Sequence, residues 1–202
     1  MRGPPDHRGF DEMYSGVPPW DIGRAQPEVV RIAEAGGFAG AVIDVGCGTG
    51  ENALELSARG LQVLGVDAAP RAVQRAIEKA NERGLPAEFL LADALSLGSL
   101  DRRFQIALDS GVFHVFEDRE RAVYVASLAS VLKQGGVLHL LCFSDRQPGV
   151  MGPRRVTQQE LRDSFREGWD LQEIVATTFA TNLPEGEAQA WRATIRVARD
   201  IP

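Results

Sequence analysis

The stretch Ala41-Val42-Ile43-Asp44-Val45-Gly46-Cys47-Gly48-Thr49-Gly50-Glu51 passes from a short apolar run into three alternating glycines. Ala41–Val45 has the composition of a buried strand, and Asn52–Arg59, stopped by Gly60, reads as the helix that follows. Glycines between a strand and a helix leave bare backbone at the carboxyl edge of a sheet, where nucleotides bind in open α/β folds. A dinucleotide fingerprint, Gly-x-Gly-x-x-Gly, needs its third glycine at position 51, but that residue is Glu51 and the glycine comes one residue early, at Gly50. A glutamate opening the helix also repels a pyrophosphate seated there. The loop therefore favours a nucleoside ligand without phosphates over a dinucleotide.

Outward from the loop, strand and helix alternate. Pro27 opens a helix with Val29, Val30, Ile32 and Ala33 on its apolar face, ended by Gly36-Gly37. Leu61–Val66 reads as a strand, and Pro70–Arg83 as a helix with Val73, Ala76, Ile77 and Ala80 on one side. Ala87–Leu91 and Phe104–Leu108 read as strands, Glu117–Lys133 as a helix, and Val137–Phe143 as a nearly continuous apolar strand. Thr157-Gln158-Gln159-Glu160 is a capping box. Trp169–Thr178 and Ala190–Arg199 are strands with no helix between them, and Trp191, Ala193, Ile195 and Val197 alternate with polar neighbours. This pattern predicts a doubly wound α/β sheet, mixed because its terminal hairpin is antiparallel. A single domain is expected, with residues 1–26 an irregular arm and 27–202 the core.

Acids stand at successive strand ends: Asp44, Asp67, Asp93 and Asp109. A carboxylate in the place of Asp67 can accept from both hydroxyls of a ribose, although a lone Asp more often caps the next helix. Asp44-Val45-Gly46-Cys47-Gly48-Thr49-Gly50, Gly65-Val66-Asp67, Ala92-Asp93-Ala94 and Asp109-Ser110 together resemble the successive motifs of class I S-adenosylmethionine-dependent methyltransferases. The resemblance implies a Rossmann-like, seven-stranded sheet of order 3-2-1-4-5-7-6. It implies S-adenosylmethionine as cofactor, with S-adenosylhomocysteine as product, held by Asp44, Gly46, Cys47, Gly48, Gly50, Asp67, Ala68, Asp93, Ala94 and Asp109. In that arrangement the glycines face the methionine part, Asp44 can meet its ammonium, Asp67 the ribose, and Asp93 with Ala94 the adenine.

Pro19-Trp20-Asp21-Ile22-Gly23 resembles the segment ahead of the core in the thiopurine, halide and thiol methyltransferases, and in actinobacterial relatives that methylate heterocyclic or quinone-like compounds. That likeness makes Trp20 a lid aromatic over the cofactor, or only an anchor of the arm, with Tyr14 beside the acceptor. Asp109-Ser110-Gly111-Val112-Phe113-His114-Val115-Phe116 falls where an acceptor approaches the methyl group. Phe113 and Phe116 are the expected pocket walls. His114 is either a proton acceptor for a thiol, phenol or ring nitrogen, or a structural residue. Arg154, in Gly152-Pro153-Arg154-Arg155, either pairs with an anionic acceptor or lies in a solvated turn.

Net charge is −6 with a pI near 5.2, and no basic cluster stands out, which disfavours a nucleic-acid partner. No apolar run approaches the roughly 18 residues that cross a bilayer, and the amino terminus lacks the order of a signal peptide, so no membrane partner and a cytoplasmic location are expected. Cys47 and Cys142 match no metal-ligand spacing, so neither a metal nor a disulfide is expected. The expected activity is transfer of a methyl group to an S, O, N or halide nucleophile of a small molecule. The alternatives are an NAD-linked oxidoreductase and a non-catalytic adenosylmethionine-binding module.

Overall fold

The computed structural model describes residues 7–149 and 152–198. Its strands are β1 (Ala41–Val45), β2 (Gln62–Asp67), β3 (Glu88–Leu91), β4 (Phe104–Ser110), β5 (Leu132–Phe143), β6 (Trp169–Ala180) and β7 (Glu187–Val197). They form one sheet of order β3-β2-β1-β4-β5-β7-β6, the expected order. The first five strands pair in parallel, and β7 enters antiparallel between β5 and β6. Six helices flank the sheet: α1 (His7–Met13), α2 (Pro27–Glu34), α3 (Glu51–Ala58), α4 (Pro70–Arg83), α5 (Asp118–Val131) and α6 (Gln158–Ser164).

Alternation along β1 divides the core in two. Val42 joins Leu54, Leu56, Val63 and Ala76 beneath α2, α3 and α4, whereas Ile43 and Val45 join Tyr124, Leu128 and Leu161 beneath α5 and α6. A strand buried on both faces has no polar side, which explains the unbroken apolar runs of the parallel strands. In β7, Trp191, Ala193, Ile195 and Val197 are all buried, as their alternation requires.

Several boundaries differ from the sequence reading. The arm is not irregular throughout: α1 forms within it and docks on α4, where Asp11 Oδ1 accepts from Arg71 N at 2.8 Å. Residues 1–6 lie outside the described residues. Ile77 is not on the buried side of α4, where Ala72 takes the place expected for it. The helix expected to reach Lys133 ends at Val131, because Leu132 already pairs with Phe104. The strand expected to stop at Leu108 continues to Ser110, which puts Asp109 inside the sheet. A 3-10 segment, Ala94–Leu100, also escaped the helical periodicity.

Gly50 belongs to the packing of the fold. It has φ +86°, and a Cβ there would lie 2.8 Å from the Phe89 ring and 2.9 Å from Ala76 Cβ. Left-handed backbone and a filled space penalise any side chain together. Gly50→Ala should therefore lose about 1–3 kcal/mol of stability, read as a lower urea midpoint at an unchanged slope.

Candidate active site

The loop after β1 is held by backbone and carboxylate together. Cys47 N donates to Val66 O at 2.9 Å, and Gly48 N donates to Asp67 Oδ2 at 2.8 Å. The other oxygen of Asp67 accepts from Ala69 N at 2.8 Å, so one side chain braces the loop and the turn after β2. A Cβ on Gly48 would stand 2.8 Å from Tyr14 Oη, leaving no room for one.

Between this loop and the β6–β7 hairpin lies a cavity of about 890 Å³. Gly46, Cys47, Gly48, Asp67, Ala68, Asp93 and Ala94 line one end. His114, Phe116, Phe143, Arg155 and Phe179 line the other. Tyr14 and Trp20 come from the arm, and Trp20 Nε1 donates to Tyr14 Oη at 3.0 Å. Trp20 packs both on Tyr14, Ala69 and Ala72 and on the cluster of Leu141, Phe143 and Phe179, so its indole joins the two ends. Tyr14, expected beside the acceptor, sits over the glycine loop instead.

The strand-end acids separate into different tasks. Asp93 Oδ1 caps the 3-10 segment through Leu95 N at 2.8 Å while its residue still lines the cavity. Asp109, expected at the cofactor, is fully buried off the cavity wall. Its carboxylate accepts from Val112 N (2.8 Å), Phe113 N (3.0 Å) and Tyr124 Oη (2.9 Å), and burial pushes its pKa up to about 6. It organises the loop that carries His114. Gly50 likewise is off the wall, packed on Phe89 and Ala76. Asp44, expected to meet the cofactor's ammonium, is also off the wall: it is fully buried behind the glycine loop, beside the backbone N–H of Ala53 in α3. Burial, with Asp67 nearby, pushes its pKa up to about 8.

Three acceptor-side expectations are corrected. Phe113 is not a pocket wall: it is fully buried, 5.9 Å from the Phe165 ring, with the Arg121 guanidinium 4.5 Å over its face. Arg154 faces away from the cavity and pairs with Asp118 at 2.6 Å and with Glu160. Its neighbour Arg155 lines the cavity, and its guanidinium donates to the carbonyls of Gln147, Pro148 and Pro153. His114 does line the cavity, but its Nδ1 accepts from Phe143 N at 2.9 Å. That bond uses the lone pair a base would need and leaves the proton on Nε2. Burial, with Arg121 and Arg155 nearby, pushes the His114 pKa down to about 3. A neutral Nε2–H imidazole does not fit the base role.

Residues outside the motifs complete the cavity. Phe143 ends β5, Phe179 lies near the end of β6, and their rings are 5.5 Å apart. Gln26 is buried and also lines the wall. The strand read as Trp169–Thr178 stops one residue short of Phe179, and nothing in the chain favoured Arg155 over Arg154.

These features fit S-adenosylmethionine. Backbone is bare at Gly46 and Gly48, and Asp67 stands at the end of β2, all three on the cavity wall. Glu51 does not discriminate as expected, because Lys79 (2.8 Å) and Arg83 (2.9 Å) compensate its charge. Among the described residues no group of three or more His, Cys, Asp or Glu could hold a metal ion, and no helix is long and apolar enough to cross a membrane. Cys47 and Cys142 are both buried and unpaired.

Residues 42–136 match a family model described as a methyltransferase domain. The chain is 36% identical to 2-heptyl-1-hydroxyquinolin-4(1H)-one methyltransferase of Mycobacteroides abscessus, over 88% of this chain and 81% of that protein. It is 28% identical to a probable thiol methyltransferase of Arabidopsis thaliana, over 67% of this chain and 61% of the relative. A solved structure from work on the conversion of a disulfide bond into a thioacetal group in echinomycin biosynthesis superposes with a TM-score of 0.88 at 35% identity, covering 95% of this chain and 92% of that one. The chain belongs to the class I S-adenosylmethionine-dependent methyltransferases. Its methyl donor is S-adenosylmethionine, and its acceptors are small molecules.

Asp44 gives this site a pH signature. Its folded pKa of about 8 stands above the ordinary 3.8, so the native state holds a proton that the unfolded chain releases. Stability contributed by the protonated form is full below about pH 4 and is lost as pH rises towards about 8. Asp44→Asn mimics the protonated acid. It should raise the melting temperature of the cofactor-free protein by about 3 °C or more at pH 8.5, with the gain fading towards pH 4. The same variant should weaken S-adenosylhomocysteine binding in calorimetry.

Proposed function

We propose that this methyltransferase acts on flat aromatic molecules whose nucleophilic oxygen, sulfur or nitrogen is already ionised when it meets the methyl group. The observation that carries this reading is the Nδ1 bond of His114, which leaves the acceptor end with an Nε2–H donor in place of a base. His114, Phe143 and Phe179 pack on one another as one aromatic cluster of the cavity wall, with ring centroids 5.0 Å apart for His114–Phe143 and 6.3 Å for His114–Phe179. Arg155 lies 5.6 Å from the Phe143 centroid and places a positive charge on the same wall. Aromatic faces suit a flat ring, while the imidazole N–H and the guanidinium suit its negative charge.

Bound S-adenosylmethionine supplies an electrophilic methyl group on a sulfonium, whose sulfur keeps the bonding electrons as S-adenosylhomocysteine leaves. The chain's task is alignment and the exclusion of water, which strengthens attraction between an anionic acceptor and a cationic donor. The acceptor's proton is lost to solvent before the transfer. Trp20 and Tyr14 close one side, and Phe116 and Phe179 the other. A halide would leave this apolar volume unused. The named acceptor of the mycobacterial relative, an N-hydroxyquinolone with an alkyl tail, is a flat heterocycle with an acidic hydroxyl, and supports the same reading.

A series of phenols, thiophenols and N-hydroxy heterocycles of graded acidity tests this. The pH at which kcat/KM levels off should follow the acceptor's own pKa. A break fixed at one pH for every acceptor would point to a protein base. His114→Leu should lower kcat/KM for anionic acceptors about 10- to 100-fold, the range of one hydrogen bond to a charged group, with His114→Gln recovering part of it. S-adenosylhomocysteine affinity should not change in either variant.

A further inference from the structure

One segment of the arm touches both ends of the cavity through named hydrogen bonds. Asp21 Oδ1 accepts from Thr49 Oγ1 at 3.0 Å, and Thr49 lies within the glycine loop. Lys79 Nζ donates to that same Oγ1 at 2.7 Å, so the single hydroxyl proton of Thr49 is directed to Asp21. On its other side the segment meets the turn after β6. Asn182 N donates to Pro19 O at 2.7 Å, and Asn182 Nδ2 donates to Asp21 O at 2.6 Å.

Gln26 repeats the arrangement five residues after Asp21, where the strap enters α2. Its buried side-chain amide pairs reciprocally with Ala180, donating from Nε2 to Ala180 O at 3.0 Å and accepting from Ala180 N at 2.9 Å. Its backbone N donates to Asn52 Oδ1 at 2.9 Å, and Asn52 is the second residue of α3. Asp21 thus joins Thr49 to Asn182, and Gln26 joins Asn52 to Ala180. Two staples span the same gap, from the cofactor loop to the hairpin that carries Phe179 and Leu183 on the cavity wall.

We propose that this strap, Pro19 to Gln26, couples occupancy of the cofactor loop to the order of the acceptor wall, with Gln26 and Asn182 as positioning residues. A ligand that orders the loop fixes Thr49 and Asn52, and through the strap it fixes Ala180 and Asn182. The coupling is reciprocal, so loosening the hairpin contact weakens the cofactor end by the same factor. The wall that shapes the acceptor space is then completed after the methyl donor has bound.

Amide hydrogen exchange reads this directly, because the Ala180 and Asn182 N–H groups donate to the strap itself. Saturating S-adenosylhomocysteine should slow exchange at both amides about fivefold or more, while Ile195, buried near the end of β7, changes little. Asn182→Ala removes an exposed side chain, so the variant keeps its fold. It should lose most of the ligand-dependent slowing at position 182 and raise the S-adenosylhomocysteine Kd about two- to fivefold. Gln26→Leu should do the same at Ala180, with circular dichroism confirming that it is folded. Ligand binding that leaves both amides unchanged overturns the strap, and so does full slowing in Asn182→Ala. A silent calorimetric titration of the wild-type protein would instead overturn the cofactor assignment, and the strap with it.

Discussion

The carboxylate of Asp67 accepts from Gly48 N and from Ala69 N, each at 2.8 Å, and so fixes the exits of two neighbouring strands against one another. The pairing of Val45 with Val66 brings those exits together, and Cys47 N closes the contact on Val66 O. With the loop fixed, Tyr14 can lie over Gly48, Trp20 can bond Tyr14, and the arm has a surface to follow. The acceptor end is built on the same edge one strand further on, where Asp109 holds the Val112 and Phe113 amides and so sets the loop of His114. Each end of the cavity thus depends on an aspartate at the end of a strand, one braced by two backbone amides and the other buried beneath the loop that it shapes.

The sheet was legible in the chain because its central strands β1, β2 and β4 bury both faces, and double burial leaves a short continuous apolar run. The strand order came from the resemblance to the methyltransferase motifs, while the glycine loop and the succession of acids marked only the carboxyl edge. Element ends were less legible. Asp93 both lines the cavity and caps a 3-10 segment, and a lone Asp after a strand carries no mark that tells the two apart. The resemblance made Asp109 a ligand for the cofactor, but Ser110 extends the strand past it and closes it inside. Gly50 was legible as a glycine that cannot be replaced. Its reason is Phe89 and Ala76, which come from elements distant in sequence.

The acceptor side resisted the sequence for a different physical reason. Its walls come from the ends of β5 and β6, the loop after β4 and the segment after β5, so no local spacing unites them. Phe113 and Phe116 looked equivalent, yet the short 3-10 turn at Phe113–Val115 sends the first into the core against Phe165 and Arg121 and leaves the second on the cavity. Arg154 and Arg155 diverge in the same way: one joins Asp118 and Glu160, and the other ties three backbone carbonyls beside Phe143. Such choices are made by packing across elements, which adjacent residue types do not encode.

Asp44 shows what the site costs the fold. A fully buried carboxylate beside Asp67 favours its protonated form, and at neutral pH and above it opposes folding of the empty protein. An uncharged residue of the same shape would remove that penalty, and the apolar strand around it would accept one. The penalty makes physical sense where a positive charge is to arrive next to the loop, because the attraction of a buried carboxylate is then little screened by water. His114 is tuned the opposite way. Burial and two guanidinium groups keep it uncharged, so its Nε2–H can approach a negative acceptor without first giving up a proton. The two ends of the cavity thus differ: a cation favours the ionised form of Asp44 behind the donor's loop, and the proposed anionic acceptor meets the Nε2–H of His114. Trp20, packed on both clusters, is the apolar contact that spans these two ends.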